Sequence, residues 1–269
     1  MSESHAPSMI RDKPSEESVA APDEVRFGPD PASTFKANLA AVERRIDQAC
    51  LRSGRRREDV VLLPITKTVP AHILRHAYTA GIREFGENKI QEAETKREQL
   101  ADLSIQWSIV GHLQTNKVKY LCRFARELHA LDSLRLADLL DKRLARENRT
   151  MDVYIQVNTS GEESKFGLHP DAVMSFIDTL NQFEFLRPRG LMTLALFSQD
   201  MSKVRPCFQL LRKLRDAAAE RNPSVAGLSM GMTSDFEEAI EEGATVIRVG
   251  QAIFGHRPTP DGHYWPGLA

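Results

Sequence analysis

Eight short apolar runs alternate with amphipathic segments along most of this chain, and that alternation restricts the architectures open to it. The runs are Val60–Thr66, Ile82–Phe85, Ile105–Val110, Glu127–Leu131, Asp152–Asn158, Arg187–Thr193, Ala226–Met230 and Thr245–Val249. Short continuous apolar runs suit strands buried on both faces, as parallel strands are. Between them apolar residues return at the helical period: Leu136, Leu139, Leu140 and Leu144 on one segment, Val204, Phe208, Leu211 and Leu214 on another. A third segment carries Phe236, Ala239 and Ile240, with Ser234 and Glu237 at capping-box spacing and Gly243 at its end. Strands separated by helices predict a parallel sheet. Eight such units fit one closed (β/α)8 barrel better than the alternative, a doubly wound open sheet.

An extra helix precedes the first strand. Phe35, Leu39, Val42, Ile46 and Cys50 recur at helical spacing, Ser33 or Thr34 can cap it, and Gly54 ends it. It is expected on the floor or flank of the barrel. Residues 1–31 hold five prolines, many charges and few large apolar side chains, and read as a disordered tail. The barrel then occupies residues 32–257, with a C-terminal tail over 258–269.

Composition excludes several classes. The formal net charge of −1 gives no electrostatic argument for nucleic acid or membrane binding, and no apolar run approaches the roughly 20 residues needed to span a bilayer. The polar, acidic N-terminus lacks the apolar core of a signal peptide and the composition of a transit peptide, so a cytoplasmic location is expected. Cys50, Cys122 and Cys207 are odd in number and far apart, and read as reduced thiols. His112 and His256 do not pair at metal-ligand spacing, so no metal is expected. Arg55, Arg56 and Arg57 read as a solvated turn after a helix end.

Ligand sites of such barrels lie at the C-terminal ends of the strands. There the sequence turns polar and glycine-rich: Thr66-Lys67-Thr68, Gly86-Glu87-Asn88-Lys89, Gly111-His112, Ser229-Met230-Gly231-Met232 and Arg248-Val249-Gly250. Lys67 directly follows a buried strand, where partial burial makes an amine nucleophilic. The plainer reading is a lysine that extends to the rim. The last two strand ends are the usual phosphate corner of this architecture, and a helix start there favours an anion. An amine at one strand end and a phosphate corner at the others suit pyridoxal 5′-phosphate, which carries an aldehyde and a phosphate. Lys165 reads as a rim lysine and His112 as part of the pocket wall.

The ordered segments Thr66-Lys67-Thr68, Phe85-Gly86-Glu87-Asn88, Gly111-His112-Leu113-Gln114-Thr115-Asn116-Lys117, Gly190-Leu191-Met192-Thr193, Leu228-Ser229-Met230-Gly231-Met232 and Val246-Ile247-Arg248-Val249-Gly250 together resemble the pyridoxal phosphate homeostasis protein family. The resemblance runs from about Ser33 to Gly255 and implies the fold-type III barrel, similar to the N-terminal barrel of alanine racemase. It implies a Schiff base on Lys67 and Asn88 near the 3-hydroxyl side of the ring. It implies that Ser229, Gly231, Met232 and Gly250 wrap the phosphate, partly through backbone N–H groups, and that Arg248 faces the pyridine nitrogen. An arginine there donates hydrogen bonds and keeps that nitrogen unprotonated, which weakens the ring as an electron sink.

Two functions compete. One is a non-catalytic carrier for cofactor storage, buffering and supply, with apo-enzymes that use the cofactor as recipients. The other is an amino-acid racemase, which needs acid–base groups on both faces of its substrate. None of Tyr78, Tyr120, Tyr154 and Tyr264 falls in a strand-end loop, and the carrier is favoured. No catalytic residue is assigned. Without a second, dimerising domain, a monomer is expected.

Overall fold

The computed structural model describes residues 22–256. Eight parallel strands, β1 (Val61–Pro64), β2 (Glu84–Glu87), β3 (Gln106–Ile109), β4 (Glu127–Leu131), β5 (Met151–Gln156), β6 (Leu186–Met192), β7 (Gly227–Ser229) and β8 (Val246–Val249), follow one another in the order β1-β8-β7-β6-β5-β4-β3-β2. β1 and β2 meet at a bridge between Ile65 and Gly86, where the Thr66 N–H donates to the Gly86 carbonyl at 2.9 Å. The sheet thus curls into a nearly closed barrel and is not an open doubly wound sheet. Around it run α1 (Pro22–Phe27), α2 (Pro31–Arg52), α3 (Ala71–Thr79), α4 (Ile90–Gln99), α5 (Val118–Phe124), α6 (Leu134–Arg146), α7 (Val173–Leu180), α8 (Met201–Arg221), α9 (Phe236–Glu241) and α10 (Gln251–Phe254).

Strand alternation decides what faces the lumen. On β8, Ile247 and Val249 pack outward into the main core under the helices, while Val246 joins Leu63, Tyr154 and Met192 in a small cluster inside the barrel. Arg248 shares the inward face with Val246. On the helices the apolar stripes are buried as their spacing predicts: Leu136, Leu140 and Leu144 on α6, Val204, Phe208 and Leu211 on α8. Helix α2 lies on the flank, against α3, α9 and α10, with Phe35, Val42, Ile46 and Cys50 buried. All three cysteines are buried, and burial pushes the Cys122 thiol up to about 12.

Several expectations are corrected. Pro22–Phe27, within the stretch expected to be disordered, is helical, and Phe27 is buried edge-on to Phe35 at 6.1 Å. One aromatic in a polar stretch has no periodicity to announce it. Residues 1–21 and 257–269, which hold the rest of both expected tails, lie outside the described residues. Helix α2 is capped by the side chain of Asp30, with Pro31 opening the helix, and not by Ser33 or Thr34. Ser234 and Glu237 form no capping box; Asp235 stands at the start of α9 and Glu237 pairs with Arg45 at 3.0 Å. Arg55 is not merely solvated, because its Nη1 donates to the carbonyls of Ile240 and Ala244 at 2.8 and 2.7 Å.

Candidate functional site

A pocket of about 570 Å³ opens at the C-terminal ends of the strands. That is within the usual range for small-molecule sites. Lys67 reaches it from β1, Asn88 from β2, His112 from β3, Met232 from β7, and Arg248 and Gly250 from β8.

Lys67 stands in a tightly held turn. Thr66 before it is fully buried; its Oγ1 donates to Glu87 Oε1 at 2.6 Å, and its carbonyl accepts from Lys96 Nζ at 2.9 Å. Lys96 also bonds Glu87 Oε1 at 2.6 Å, and burial pushes the Glu87 carboxyl above the usual carboxylate range. Thr68 after Lys67 adopts φ 65°, a conformation a β-branched residue rarely takes. Arg26, from α1, holds that strained residue by donating to its carbonyl at 2.6 Å and its Oγ1 at 3.0 Å. The amine is therefore carried on backbone fixed from below by a buried ion pair and from the side by an arginine.

Arg248 is 4% exposed. Its Nη1 donates to Ser229 Oγ at 2.7 Å and its Nη2 to the Thr193 carbonyl at 2.8 Å. Among the described residues no carboxylate lies within ion-pair distance of it. Burial pushes its pKa down to about 10, which leaves it a cation at neutral pH. Asn88 Oδ1 is buried with no hydrogen-bond partner among the described residues, and can accept from a ligand donor.

Two of the residues expected to wrap a phosphate are not on the wall. Ser229 is fully buried beneath it, with its hydroxyl turned to Arg248. Gly231, at φ 92°, sits behind the turn, where an added Cβ would meet Ala239 Cβ at 2.6 Å. Met232 does line the pocket, but its N–H is taken by Asp235 Oδ1 at 2.5 Å. Thr233, Ser234 and Gln251 complete this corner beside Gly250. Of the four residues expected at this corner, Met232 and Gly250 line the pocket, and Ser229 and Gly231 lie behind it.

Other wall residues were not foreseen. Arg26 came from the supposed tail. Phe166 stacks on His112 at 3.8 Å between ring centroids, and Phe197 closes the rim. His112 itself lines the wall as expected and is held by Asp132 at 3.1 Å. Lys165 Nζ bonds the Ala195 carbonyl at 3.0 Å and pairs with Glu162. None of the described tyrosines lines the pocket; Tyr154 is buried inside the barrel, away from the mouth. No group of His, Cys, Asp or Glu suited to a metal occurs among the described residues. No described helix is long and apolar enough to cross a membrane.

The family description "Alanine racemase, N-terminal domain" matches residues 37–258. A pyridoxal phosphate homeostasis protein of Aquifex aeolicus is 43% identical over 220 residues, which is 81% of this chain and 96% of that protein. The chain belongs to the pyridoxal phosphate homeostasis protein family. The human member is 38% identical over 246 residues, 83% of this chain and 88% of its own. Among solved structures, PipY of Synechococcus elongatus, with pyridoxal phosphate bound, superposes with a TM-score of 0.72 at 32% identity, covering 82% of this chain and all of that one. Alanine racemase of Clostridium difficile gives a TM-score of 0.66 at 14% identity, over 85% of this chain and 57% of that one, and shares the barrel fold.

Proposed function

We propose that the pocket binds pyridoxal 5′-phosphate, with Lys67 as its covalent anchor, and that the protein stores, buffers and supplies this cofactor in the cell without robust turnover. The observation that carries the reading is that Lys67, the buried cation Arg248 and the glycine corner at Gly250 face one pocket of cofactor size. The cofactor supplies an aldehyde that condenses reversibly with an amine, releasing water and leaving a Schiff base. Lys67 Nζ is the amine. Arg248, with no carboxylate at ion-pair distance among the described residues, would meet the ring nitrogen and keep it unprotonated. Asn88 Oδ1 has room for a donor on the 3-hydroxyl side of the ring. Met232 and Gly250, with Thr233 and Ser234, take the phosphate, while Ser229 and Gly231 act from behind.

The racemase reading needs a second acid–base group opposite Lys67. No described tyrosine stands there, and Arg248 weakens the ring as an electron sink. Both points support a carrier. We further read the protein as a cytoplasmic monomer that passes its cofactor to apo-enzymes, with no role for nucleic acid, membrane or metal. The test is an absorbance spectrum of purified protein loaded with the cofactor, before and after borohydride, with peptide mapping of the modified lysine. A visible band trapped on Lys67, and lost in Lys67→Ala, is expected. Protein that stays colourless with added cofactor would favour another phosphate ligand. Sustained racemisation of free alanine or serine by contaminant-free protein would overturn the carrier.

A further inference from the structure

A buried polar chain leads from the pocket through the barrel to its opposite end. Arg248 Nη1 donates to Ser229 Oγ at 2.7 Å, Ser229 Oγ lies 2.8 Å from His129 Nδ1, and His129 Nε2 lies 3.0 Å from Glu127 Oε2. Ser229 and His129 are fully buried. Glu127, at the first position of β4, lines a second cavity of about 330 Å³ with Glu84, Arg126, Asp152, Tyr154 and Arg189.

The direction of the chain follows from donor chemistry. A guanidinium only donates and a carboxylate only accepts. Glu127 therefore accepts the Nε2 proton of His129. Burial disfavours a second ring proton and holds His129 below its usual range. The neutral ring must then accept at Nδ1, and among the described residues the donor there is the Ser229 hydroxyl. With its one proton committed to His129, Ser229 presents lone pairs to Arg248. The other anchor of Arg248, the Thr193 carbonyl, is backbone and already fixed in β6 and its extension. Ser229 is the anchor whose geometry depends on its neighbours.

We propose that Glu127 and His129 are positioning residues for the cofactor pocket: they lock the Ser229 hydroxyl, and the locked hydroxyl aims Arg248. The inference rests on the reading of the pocket as a pyridoxal 5′-phosphate site. It makes the aim of Arg248 depend on a carboxylate at the far end of the lumen.

The test uses the full chain, with cofactor affinity and the absorbance maximum of the bound cofactor as readouts. Glu127→Leu removes the acceptor that holds the ring proton on Nε2. His129→Gln removes the ring altogether. Each is expected to weaken cofactor binding about ten-fold and to shift the band, as the loss of a buried hydrogen-bonded contact does. In an Arg248→Gln background the same changes are expected to add nothing, since the group they aim is gone. If His129→Gln fails to fold, the milder Glu127→Leu carries the test. Wild-type affinity and an unmoved band in folded Glu127→Leu would overturn the inference. So would losses fully additive with Arg248→Gln, which would mark core packing alone. If wild-type protein takes no cofactor on Lys67, the functional reading falls and this inference with it. If wild-type does and Glu127→Leu matches it, only this inference falls.

Discussion

Single atoms decide whether the pocket corner forms. Gly231 adopts φ 92°, and an added Cβ would meet Ala239 Cβ at 2.6 Å and Phe236 Cα at 2.9 Å. Gly231→Ala should therefore destabilise the protein by about 1–3 kcal/mol through backbone strain, and more if helix α9 must move. Denaturant unfolding of the two proteins checks this. The glycine was visible in the sequence, but its reason was not. The motif places Gly231 in the phosphate corner, and the structure adds a tight contact with helix α9 behind it. Ser229 shows the same limit. Alternation says that its side chain points into the lumen and cannot say whether it touches ligand or protein there. Its partner His129 is 100 residues earlier, a distance over which no local pattern acts.

Among the elements, β1 and β2 form the junction that differs from the rest. The other neighbours pair within their strands, down to the single Ser229–Val246 pair of β7 and β8, whereas this pair is bridged at Ile65 and Gly86 and stapled by the Lys96, Glu87 and Thr66 side chains. Lys96→Met should cost about 3–5 kcal/mol, since it leaves Glu87 buried without its cation. Adding Glu87→Gln should restore much of that loss, because no charge then remains to be compensated. Urea titrations of the single and double variants read both effects. All eight strands were legible because parallel strands buried on both faces are written as short apolar runs. Their ends were less so: the first run extends to Thr66, whereas β1 stops at Pro64 and continues as a bridge. Helix α1 was illegible, since six residues anchored by one buried Phe27 carry no period.

For the molecule as a whole, the buried His129 couples stability to pH. Burial lowers its pKa in the folded chain, with Arg248 acting the same way and Glu127 opposing. Below the unfolded value of about 6.5, the unfolded chain binds a proton that the folded chain refuses. This contribution is present above about pH 6.5 and is lost as the pH falls, by at most about 1.4 kcal/mol per pH unit. Comparing unfolding free energies of wild-type and His129→Gln between pH 5 and 8 should isolate it: the difference between the two curves flattens above about pH 6.5. The β1–β2 junction has a consequence of another kind. Because a helix side chain closes the wall beside Lys67, the residue at 96 and the residue at 87 answer to each other across generations. A lineage that loses one without the other inherits a barrel ajar at its attachment point, so the two positions are bound to change together or to stay.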